Sequence, residues 1–485
     1  MDTVDTSRLK AIVGEHNVVE DEADRYIYGS DSSVHAAMPA AVVRAETAEQ
    51  VQQLLRHANE QGIPVVPRGS GSGMCGQVVP IKGGIVLDLK AMNRILEINV
   101  KDGYCRVEPG VIDDDLNRAL KPHGFFYPPT PASSRIATIG GELGNNASGT
   151  RSVKYGAARD SLLGMKVVLA NGELIELGTH TKVAASGYQL ERLFVGSEGT
   201  LGVIVEATLS FVPIPVHRCL GIACFDTLDA AGQAISDTIA SGCQPSMLEL
   251  VDKVAITAVN RSMDLGLPDV EAILLFEADG MVKEAVEFEI EKMQAVFEKH
   301  GGHGMEASYE ADDRTRIFAA RKKLFPALSR YKDGYSSTAL ADDMAVPFSK
   351  MAETASKIHE VAERNGIVMT AYGHCGSGCM HTKILMDTTE PQHWEAARKA
   401  VAEIYEYVRS VGGTTSAEHG IGISKAPAWK QEKTGTLEVM RAVKRAFDPN
   451  NILNPGKLMD APDDWFSATG LRYSPAAQGD DGNAE

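Results

Sequence analysis

Residues 63–76 read IPVVPRGSGSGMCG, a short apolar run that passes directly into a glycine-rich loop. The apolar run predicts a buried strand. The alternating glycines and serines that follow can present backbone N–H groups and hydroxyls to a pyrophosphate. The loop is not a P-loop, because no Gly-Lys-Ser/Thr follows, and it is not a G-x-G-x-x-G fingerprint that opens a helix. A tight glycine turn without a ligand is the alternative interpretation.

Composition bounds the class of protein. Hydrophobic residues make up 44% and charged residues 23% of the 485 residues, which excludes extended disorder, collagen and coiled coil as the main state. The net charge of −17 argues against nucleic acid as the principal partner. No apolar run of ~20 residues predicts a membrane span, and the N-terminus lacks a hydrophobic signal core. Scattered cysteines predict free thiols in a reducing compartment. We therefore expect a cytoplasmic protein, with attachment to the inner face of the membrane through a partner as the alternative.

Pro213 and Pro215 punctuate the chain and predict a domain boundary. Before it, short strands and turns predict a mixed α+β region, in which Asp113 is expected to cap a short helix and Asn171-Gly172 to form a type I′ hairpin turn. After it, helices alternate with strands. The expected division is a domain at 1–215, a second at 216–430, and a C-terminal segment at 431–485 whose last ~12 residues fray.

Two further glycine motifs follow the first. Residues 128–149 contain PPTP, ATIGG and NNASG, and residues 196–204 read GSEGTLGVI. Together, the three motifs resemble the FAD-binding domain of the vanillyl-alcohol oxidase/p-cresol methylhydroxylase superfamily. Within it, the chain resembles the FAD-linked D-2-hydroxyacid dehydrogenases, of the glycolate oxidase catalytic subunit and D-lactate dehydrogenase type. The resemblance extends from about residue 40 to the Asn-Pro-Gly-Lys sequence at 454–457.

The resemblance implies an α+β fold. Its parts are a two-subdomain FAD-binding domain of the p-cresol methylhydroxylase type, an α+β substrate (cap) domain with an antiparallel sheet and the metal site, and a C-terminal segment that packs back on the FAD domain. The residues that it implies for FAD binding are Pro67, Arg68, Gly69, Ser70, Gly71, Ser72, Gly73, Met74, Pro131, Thr138, Gly140, Gly141, Asn145, Ser148, Gly149, Gly156, Glu198, Gly199, Gly202, Ile204 and Asn454. Some members of the superfamily attach flavin through a histidine or a cysteine near the first loop, which here offers Met74 and Cys75 but no histidine. The resemblance to the hydroxyacid dehydrogenases implies noncovalent FAD, and we expect it here.

Residues 373–381 read GHCGSGCMH, and residues 417–422 read AEHGIG. A glycine turn between two strands can fold His374 and His381 onto one divalent ion, and Glu418 could complete a three-ligand site. Zn²⁺ is favoured, with Mn²⁺ and Fe²⁺ as alternatives. The resemblance supports Glu418 as a ligand and implies that His419 is the base beside the flavin. A zinc knuckle formed by the two histidines with Cys375 and Cys379 is one alternative, and two buried free thiols are the other interpretation of the cysteines.

Arg321 matches the arginine that clamps the substrate carboxylate in this family, where a planar fork suits a carboxylate. Some members place a second basic group shortly before an Asp-x3-Pro segment, and residues 341–347 (ADDMAVP) follow no such group. Its lack weakens the case for a dicarboxylate substrate. Lys383, on the same strand face as His381, could substitute for it.

The implied activity is FAD-dependent oxidation of a small D-2-hydroxy acid to the 2-oxo acid. D-lactate is favoured, with glycolate and D-2-hydroxyglutarate as alternatives. The cysteines lack the spacing of an iron–sulfur cluster, so electrons are expected to pass to an electron-transfer flavoprotein, an iron–sulfur subunit or a quinone. A homodimer stays open. Two other classes also stay open: a non-redox FAD enzyme of the alkylglycerone-phosphate synthase type, and an electron-relay flavoprotein subunit.

Overall fold

The structure is a computed structural model, and it describes residues 4–263, 266–340, 342–464 and 470–471. Ala341 and the expected fraying of the last residues lie outside the described residues. Residues 4–149 contain α1 (Thr6–Val13), β1 (Val18–Val19), α2 (Glu22–Tyr28), β2 (His35–Ala36), β3 (Ala41–Arg44), α3 (Ala48–Gln61), β4 (Val65–Arg68), β5 (Ile85–Asp88), β6 (Ile95–Asn99), β7 (Tyr104–Val107), α4 (Asp113–Leu120), β8 (Phe125–Phe126) and α5 (Ile139–Asn145).

The remaining elements continue in chain order. Residues 150–214 contain α6 (Ser152–Tyr155), α7 (Ala158–Ser161), β9 (Leu162–Val168), β10 (Leu174–Gly178), α8 (Glu191–Phe194), β11 (Val203–Ser210) and β12 (Val212–Pro213). Residues 215–418 contain β13 (His217–Phe225), α9 (Leu228–Ala240), β14 (Met247–Asp252), α10 (Lys253–Met263), β15 (Ala272–Gly280), α11 (Lys283–Lys299), β16 (His303–Ser308), α12 (Ala311–Leu328), β17 (Ser336–Thr338), β18 (Met344–Ala345), α13 (Met351–Arg364), β19 (Val368–Gly373), β20 (Cys379–Met386) and α14 (Pro391–Ser410). The last are α15 (Ala426–Glu432), α16 (Leu437–Phe447) and β21 (Gly470–Leu471).

The chain divides into two units. The first unit comprises residues up to 149, 156–214 and the described part of 419–472, and the second comprises 150–155 and the described part of 215–418. The first boundary lies at 214, close to the expected 215. The second lies at 418 rather than 430, because the N–H groups of Ile421 and Gly422 bind the Glu198 carboxylate of the first unit.

Residues 150–155 were expected in the FAD domain but belong to the second unit. Charge explains their position. Lys154 Nζ lies 2.5 Å from Asp279 Oδ1 on β15, and the hydroxyl of Tyr155 donates to the same carboxylate at 2.9 Å. Arg151 lies 3.9 Å from Glu277, also on β15. The six-residue segment is therefore attached by ionic contacts to the sheet of the second unit.

Two sheets form most of the first unit. One has the order β1–β3–β5–β4, in which β3, β5 and β4 are parallel. The expected helix after Thr47 is present as α3, and Leu54 and Leu55 on α3 pack in a buried core with Val43 of β3 and Val65 of β4. The strand before the first glycine loop is therefore held on the sheet by apolar packing.

The second sheet of the first unit has the antiparallel order β10–β9–β11–β7–β6. The hairpin of β9 and β10 is present, but its turn is not type I′: Gly172 has φ of 79°, whereas Asn171 does not have positive φ. The Asn171 side chain instead accepts the N–H of Glu173. Asp113 is likewise not a helix cap, because it is the first residue of α4 and is buried.

The second unit is built on an antiparallel sheet with the order β16–β13–β15–β14–β19–β20–β17, and β18 also pairs with β20. Leu324 of α12 and Val259 of α10 pack in one apolar cluster with Leu275 and Leu385 of the sheet. The register of β19 and β20 places Tyr372 opposite His381. The α+β class and the antiparallel sheet of the cap domain are confirmed. Within the described residues, the helices are too short or too polar for any to traverse a bilayer.

Candidate active site

Glycine-rich loops of the first unit line a shared cleft, which we call the glycine cradle. A Cβ atom on Gly69 would lie 2.2 Å from Thr138 Oγ1, and one on Gly140 would lie 2.6 Å from Pro109 Cβ. These distances are far below van der Waals contact, so the loops pack this closely only as glycine. The cradle consequently presents backbone to its interior, and its residues fit a large ligand such as FAD that needs close approach to the main chain.

The predicted FAD residues fall into two groups. Those that line the cradle are Pro67, Arg68, Gly69, Thr138, Gly140, Gly141, Asn145, Glu198, Gly199, Gly202 and Ile204. Those that do not line it are Ser70, Gly71, Ser72, Gly73, Met74, Pro131, Ser148, Gly149, Gly156 and Asn454. The side-chain amide of Asn454 instead donates to the carbonyl oxygens of Gln77 and Glu198, so it holds loops together. Lining residues that sequence reasoning missed are Gln77, Val78, Leu89, Pro109, Gly144, Ser197 and Val203.

The Glu198 side chain has a structural partner. Its carboxylate accepts the N–H of Ile421 at 2.6 Å and of Gly422 at 2.9 Å. Burial raises the pKa of Glu198 to about 7. Gln77 donates from Nε2 to the carbonyl oxygen of His419 at 2.5 Å. Glu198 and Gln77 thus fix the backbone of residues 419–422 within the first unit, and with it the chain position of the predicted base.

His374, His381 and Glu418 meet in the second unit, and we call them the His-His-Glu cluster. His374 follows β19, and His381 lies on β20, so the glycine turn at 376–378 brings their rings to a centroid distance of 5.0 Å. Glu418 Oε1 lies 3.4 Å from Nε2 of His374 and 3.1 Å from Nε2 of His381. One ligand atom from each of the three residues lies within 4.8 Å of the others, as a shared cation requires.

The other ring nitrogens of the two histidines have protein partners. Nδ1 of His374 lies 2.5 Å from Glu249 Oε1, and Nδ1 of His381 lies 3.3 Å from the carbonyl oxygen of Asp342. Such contacts fix the tautomer and direct Nε2 to a metal ion. Burial works to lower the pKa of His374, but Glu249 and Glu418 outweigh it and raise that pKa to about 10. A site with this preference for positive charge fits a divalent cation.

Asp343 anchors the loop that carries Glu418. Its Oδ2 accepts the N–H of Ala417 and of Glu418, both at 2.9 Å, and the hydroxyl of Ser416 at 2.8 Å. Sequence reasoning missed both Asp343 and Glu249. For Glu249 a signal exists, since it is a charged residue inside the apolar run at 247–251.

Glu249 links Arg321 on α12 to the His-His-Glu cluster. Its Nε donates to Glu249 Oε2 at 2.6 Å, and its guanidinium stacks over the Tyr372 ring at 5.2 Å. In the described chain, its Nη1 and Nη2 have no hydrogen-bond partner. The arginine is therefore fixed at one edge and offers a fork at the other. Lys383 is buried, 3.8 Å from Asp342 Oδ2, so its charge is balanced by a carboxylate.

Cys375 and Cys379 are both buried free thiols. Cys375 Sγ donates to the carbonyl oxygen of Leu248 at 3.2 Å, and Cys379 Sγ donates to Asp343 at 3.5 Å. Burial raises the pKa of both thiols well above the usual value, which disfavours the thiolate that zinc binds. Among the described residues, neither cysteine belongs to a convergent group of three metal-binding side chains. As a site for one cation, the His-His-Glu cluster is therefore favoured by its geometry over the zinc knuckle.

Comparison with known proteins agrees with the division of the chain into an FAD-binding unit and a second unit. Residues 39–178 match the family model described as an FAD binding domain, and residues 214–458 match that described as the C-terminal domain of FAD linked oxidases. The chain is 38% identical over 455 residues to glycolate oxidase subunit GlcD of Bacillus subtilis, covering 93% of this chain and 96% of that protein.

Two further similarities extend along nearly the whole chain. The mitochondrial D-lactate dehydrogenase (cytochrome) of Arabidopsis thaliana is 35% identical over 459 residues, covering 93% of this chain and 79% of that protein. The crystal structure of p-cresol methylhydroxylase with substrate bound superposes with a TM-score of 0.78 at 21% identity, covering 93% of this chain and 96% of the other, which shows a shared fold. The chain therefore belongs to the FAD-linked oxidases, an oxidoreductase family that binds FAD and includes glycolate oxidase subunits and D-lactate dehydrogenases.

Proposed function

We propose that the protein oxidises a small D-2-hydroxy acid to the 2-oxo acid, with D-lactate ahead of glycolate and D-2-hydroxyglutarate. The observation that carries the proposal is the link, through Glu249, between the His-His-Glu cluster and the guanidinium fork of Arg321 in the second unit. Glycolate and D-lactate, which appear in the names of two relatives, both carry a hydroxyl on the carbon next to a carboxylate. A cation site and a fork are what those two groups require.

Arg321 is proposed to bind the substrate carboxylate through Nη1 and Nη2. A guanidinium makes two parallel hydrogen bonds to a carboxylate and stays charged at any working pH. Glu249 and Tyr372 fix the plane of the fork before substrate arrives. Arg321→Lys retains the charge but loses the paired geometry, so kcat/KM should fall at least about tenfold. An unchanged value would remove Arg321 from the site.

The His-His-Glu cluster is proposed to hold one divalent ion, with zinc favoured over manganese and iron. Such an ion supplies a Lewis acid that lowers the pKa of a bound hydroxyl. His419, next in the chain to Glu418, is proposed to accept the hydroxyl proton. Its backbone is held by Gln77, as described above. Noncovalently bound FAD supplies the acceptor for the two electrons that leave the substrate carbon.

Electrons are then proposed to pass to an electron-transfer flavoprotein, an iron–sulfur subunit or a quinone. The names of two relatives support this: one is a glycolate oxidase subunit, and the other is a D-lactate dehydrogenase (cytochrome). A homodimer also remains a proposal to be tested by mass in solution.

Anaerobic titration of the yellow protein with hydroxy acids tests the reaction directly. D-lactate should bleach the oxidised flavin absorbance within the turnover time, and glycolate should do so more slowly. L-lactate is the matched control, because it has the same groups in mirror arrangement and should leave the spectrum unchanged. Failure of every acid in such a panel to reduce the flavin would contradict the proposal and favour a non-redox FAD enzyme.

A further inference from the structure

Glu249 lies in the middle of β14, a strand whose residues 247–252 are all buried. Its side chain is 0% exposed. A charged carboxylate in such a position is costly unless both oxygens have partners. Glu249 has one on each oxygen: Nδ1 of His374 at 2.5 Å from Oε1, and Nε of Arg321 at 2.6 Å from Oε2. A single buried carboxylate therefore joins two residues of different proposed roles.

The two contacts constrain those residues in complementary ways. Because an ionised carboxylate only accepts, Nδ1 of His374 carries the hydrogen and Nε2 is left to face Glu418. On the other side, the bond at Nε of Arg321 leaves the fork of Nη1 and Nη2 directed away from Glu249. The guanidinium also lies over the Tyr372 ring, 5.2 Å from its centroid, and this contact favours the same orientation.

We infer that Glu249 is a positioning residue that couples the metal site to the substrate-carboxylate site. The inference rests on the proposed function, since it takes His374 as a ligand and Arg321 as the fork. It goes beyond that function in one respect: metal affinity and substrate affinity both depend on the Glu249 side chain, which touches neither metal nor substrate.

A glutamine at this position perturbs both roles. A carboxamide has the same shape as a carboxylate, but one end accepts and the other end donates. The donors on His374 and Arg321 cannot both be satisfied by it: the one that faces the NH₂ group is displaced, and the one that faces the amide oxygen loses the charge that strengthens its hydrogen bond. Glu249→Gln therefore disturbs the coupling without opening a cavity.

The test compares Glu249→Gln with wild type by two readouts. The first is the affinity for Zn²⁺ alone, measured by competition with a chromogenic chelator, and it should fall by about ten- to a hundredfold. The second is KM for D-lactate with saturating zinc and an artificial dye, and it should rise by about tenfold or more. Wild-type values of both, or a change in only one, would overturn the coupling.

Two controls separate positioning from general destabilisation. Glu277→Gln alters another buried carboxylate of the same sheet, one that accepts from Arg218 and Ser246, and it should leave zinc affinity and KM unchanged. Arg321→Lys should raise KM while zinc affinity stays within about twofold. If Glu249→Gln does not fold, Glu249→Asp serves instead: it keeps the charge, but it is too short to reach both partners, and the same two shifts are expected.

His374→Ala distinguishes this inference from the proposed function. If that variant binds Zn²⁺ as tightly as wild type, the metal site itself is wrong and the inference falls with it. If it loses zinc while Glu249→Gln does not, the metal site stands and only the role of Glu249 is overturned.

Discussion

Replacing Asp113 with asparagine should change stability relative to wild type more favourably at pH 8 than at pH 5. Asp113 at the start of α4 and Glu142 on α5 are buried carboxyls with Tyr127 beside them. Asp113 Oδ2 and both oxygens of Glu142 have no hydrogen-bond partner in the described part of the chain. Burial raises the pKa of Asp113 to about 7, and burial followed by the charge of Asp113 raises the pKa of Glu142.

The direction in which folding stability changes with pH follows from proton binding to Asp113. Between pH 5 and about 7 the folded protein keeps the proton on Asp113, whereas the unfolded chain has lost it, so folding becomes less favourable as pH rises. Over the two pH units from 5 to 7, at 1.36 kcal/mol for each, this loss amounts to roughly 3 kcal/mol. Asp113→Asn removes this loss and keeps the bond from Asn117 Nδ2 to Oδ1, which is 2.8 Å long in wild type. Its stability relative to wild type should thus be greater at pH 8 than at pH 5 by that amount.

The assay is thermal unfolding of holoprotein, followed by flavin release, because α5 also carries the cradle residues Gly140 and Gly141. At about 2–4 °C per kcal/mol for a domain of this size, the Tm difference between variant and wild type should grow by roughly 5–10 °C from pH 5 to pH 8. Asp114→Asn, in the same helical turn but partly exposed, is the matched control. A Tm difference that is the same at both pH values would refute the reasoning.

Three further predictions concern the site and its cofactor. His381→Ala should lose zinc and activity together, whereas His419→Ala should keep zinc and lose a factor of about 10²–10⁴ in turnover; metal analysis with steady-state kinetics decides, and full zinc in both variants would exclude His381 as a ligand. Acid should release one FAD per chain, because the loop at Met74 and Cys75 offers no histidine; flavin that remains on the denatured chain would show covalent attachment. Artificial dyes should accept electrons much faster than O₂, and stoichiometric peroxide formation in air would contradict this.

Sequence patterns predicted the parts of the structure that depend on local chemistry. Glycine loops after apolar strands, the helix after Thr47 and the histidines on either side of a glycine turn all have short-range signatures. The convergence of His374, His381 and Glu418 is visible in the structure, and ligand chemistry offered Glu418 as the third residue before the family resemblance supported it. The side chains of Asn454 and Ser70, which the resemblance implies for FAD binding, bind backbone carbonyl oxygens of other loops.

The unpredicted residues are those whose partners lie far away in the chain. Glu249 meets Arg321 and His374, separated from it by 72 and 125 positions. A carboxylate in an apolar strand signals an unknown partner, but only the sheet order β14–β19 and the packing of α12 identify which one. The helix-cap prediction for Asp113 failed for a related reason: local preference favours the cap, and tertiary burial overrode it.

Neither unit is one uninterrupted stretch of sequence, and this limits how the protein can be dissected genetically. A fragment that stops at Ile214 lacks the segment whose N–H groups bind Glu198. A fragment of 215–418 lacks Lys154, and it leaves the Asp279 carboxylate buried without its cation, a loss of the kind that costs about 3–5 kcal/mol. Expression of either piece alone should therefore give aggregation. The exposed stretch at 180–189 is a better place for an inserted tag, because an insertion there keeps both members of each pair in one chain.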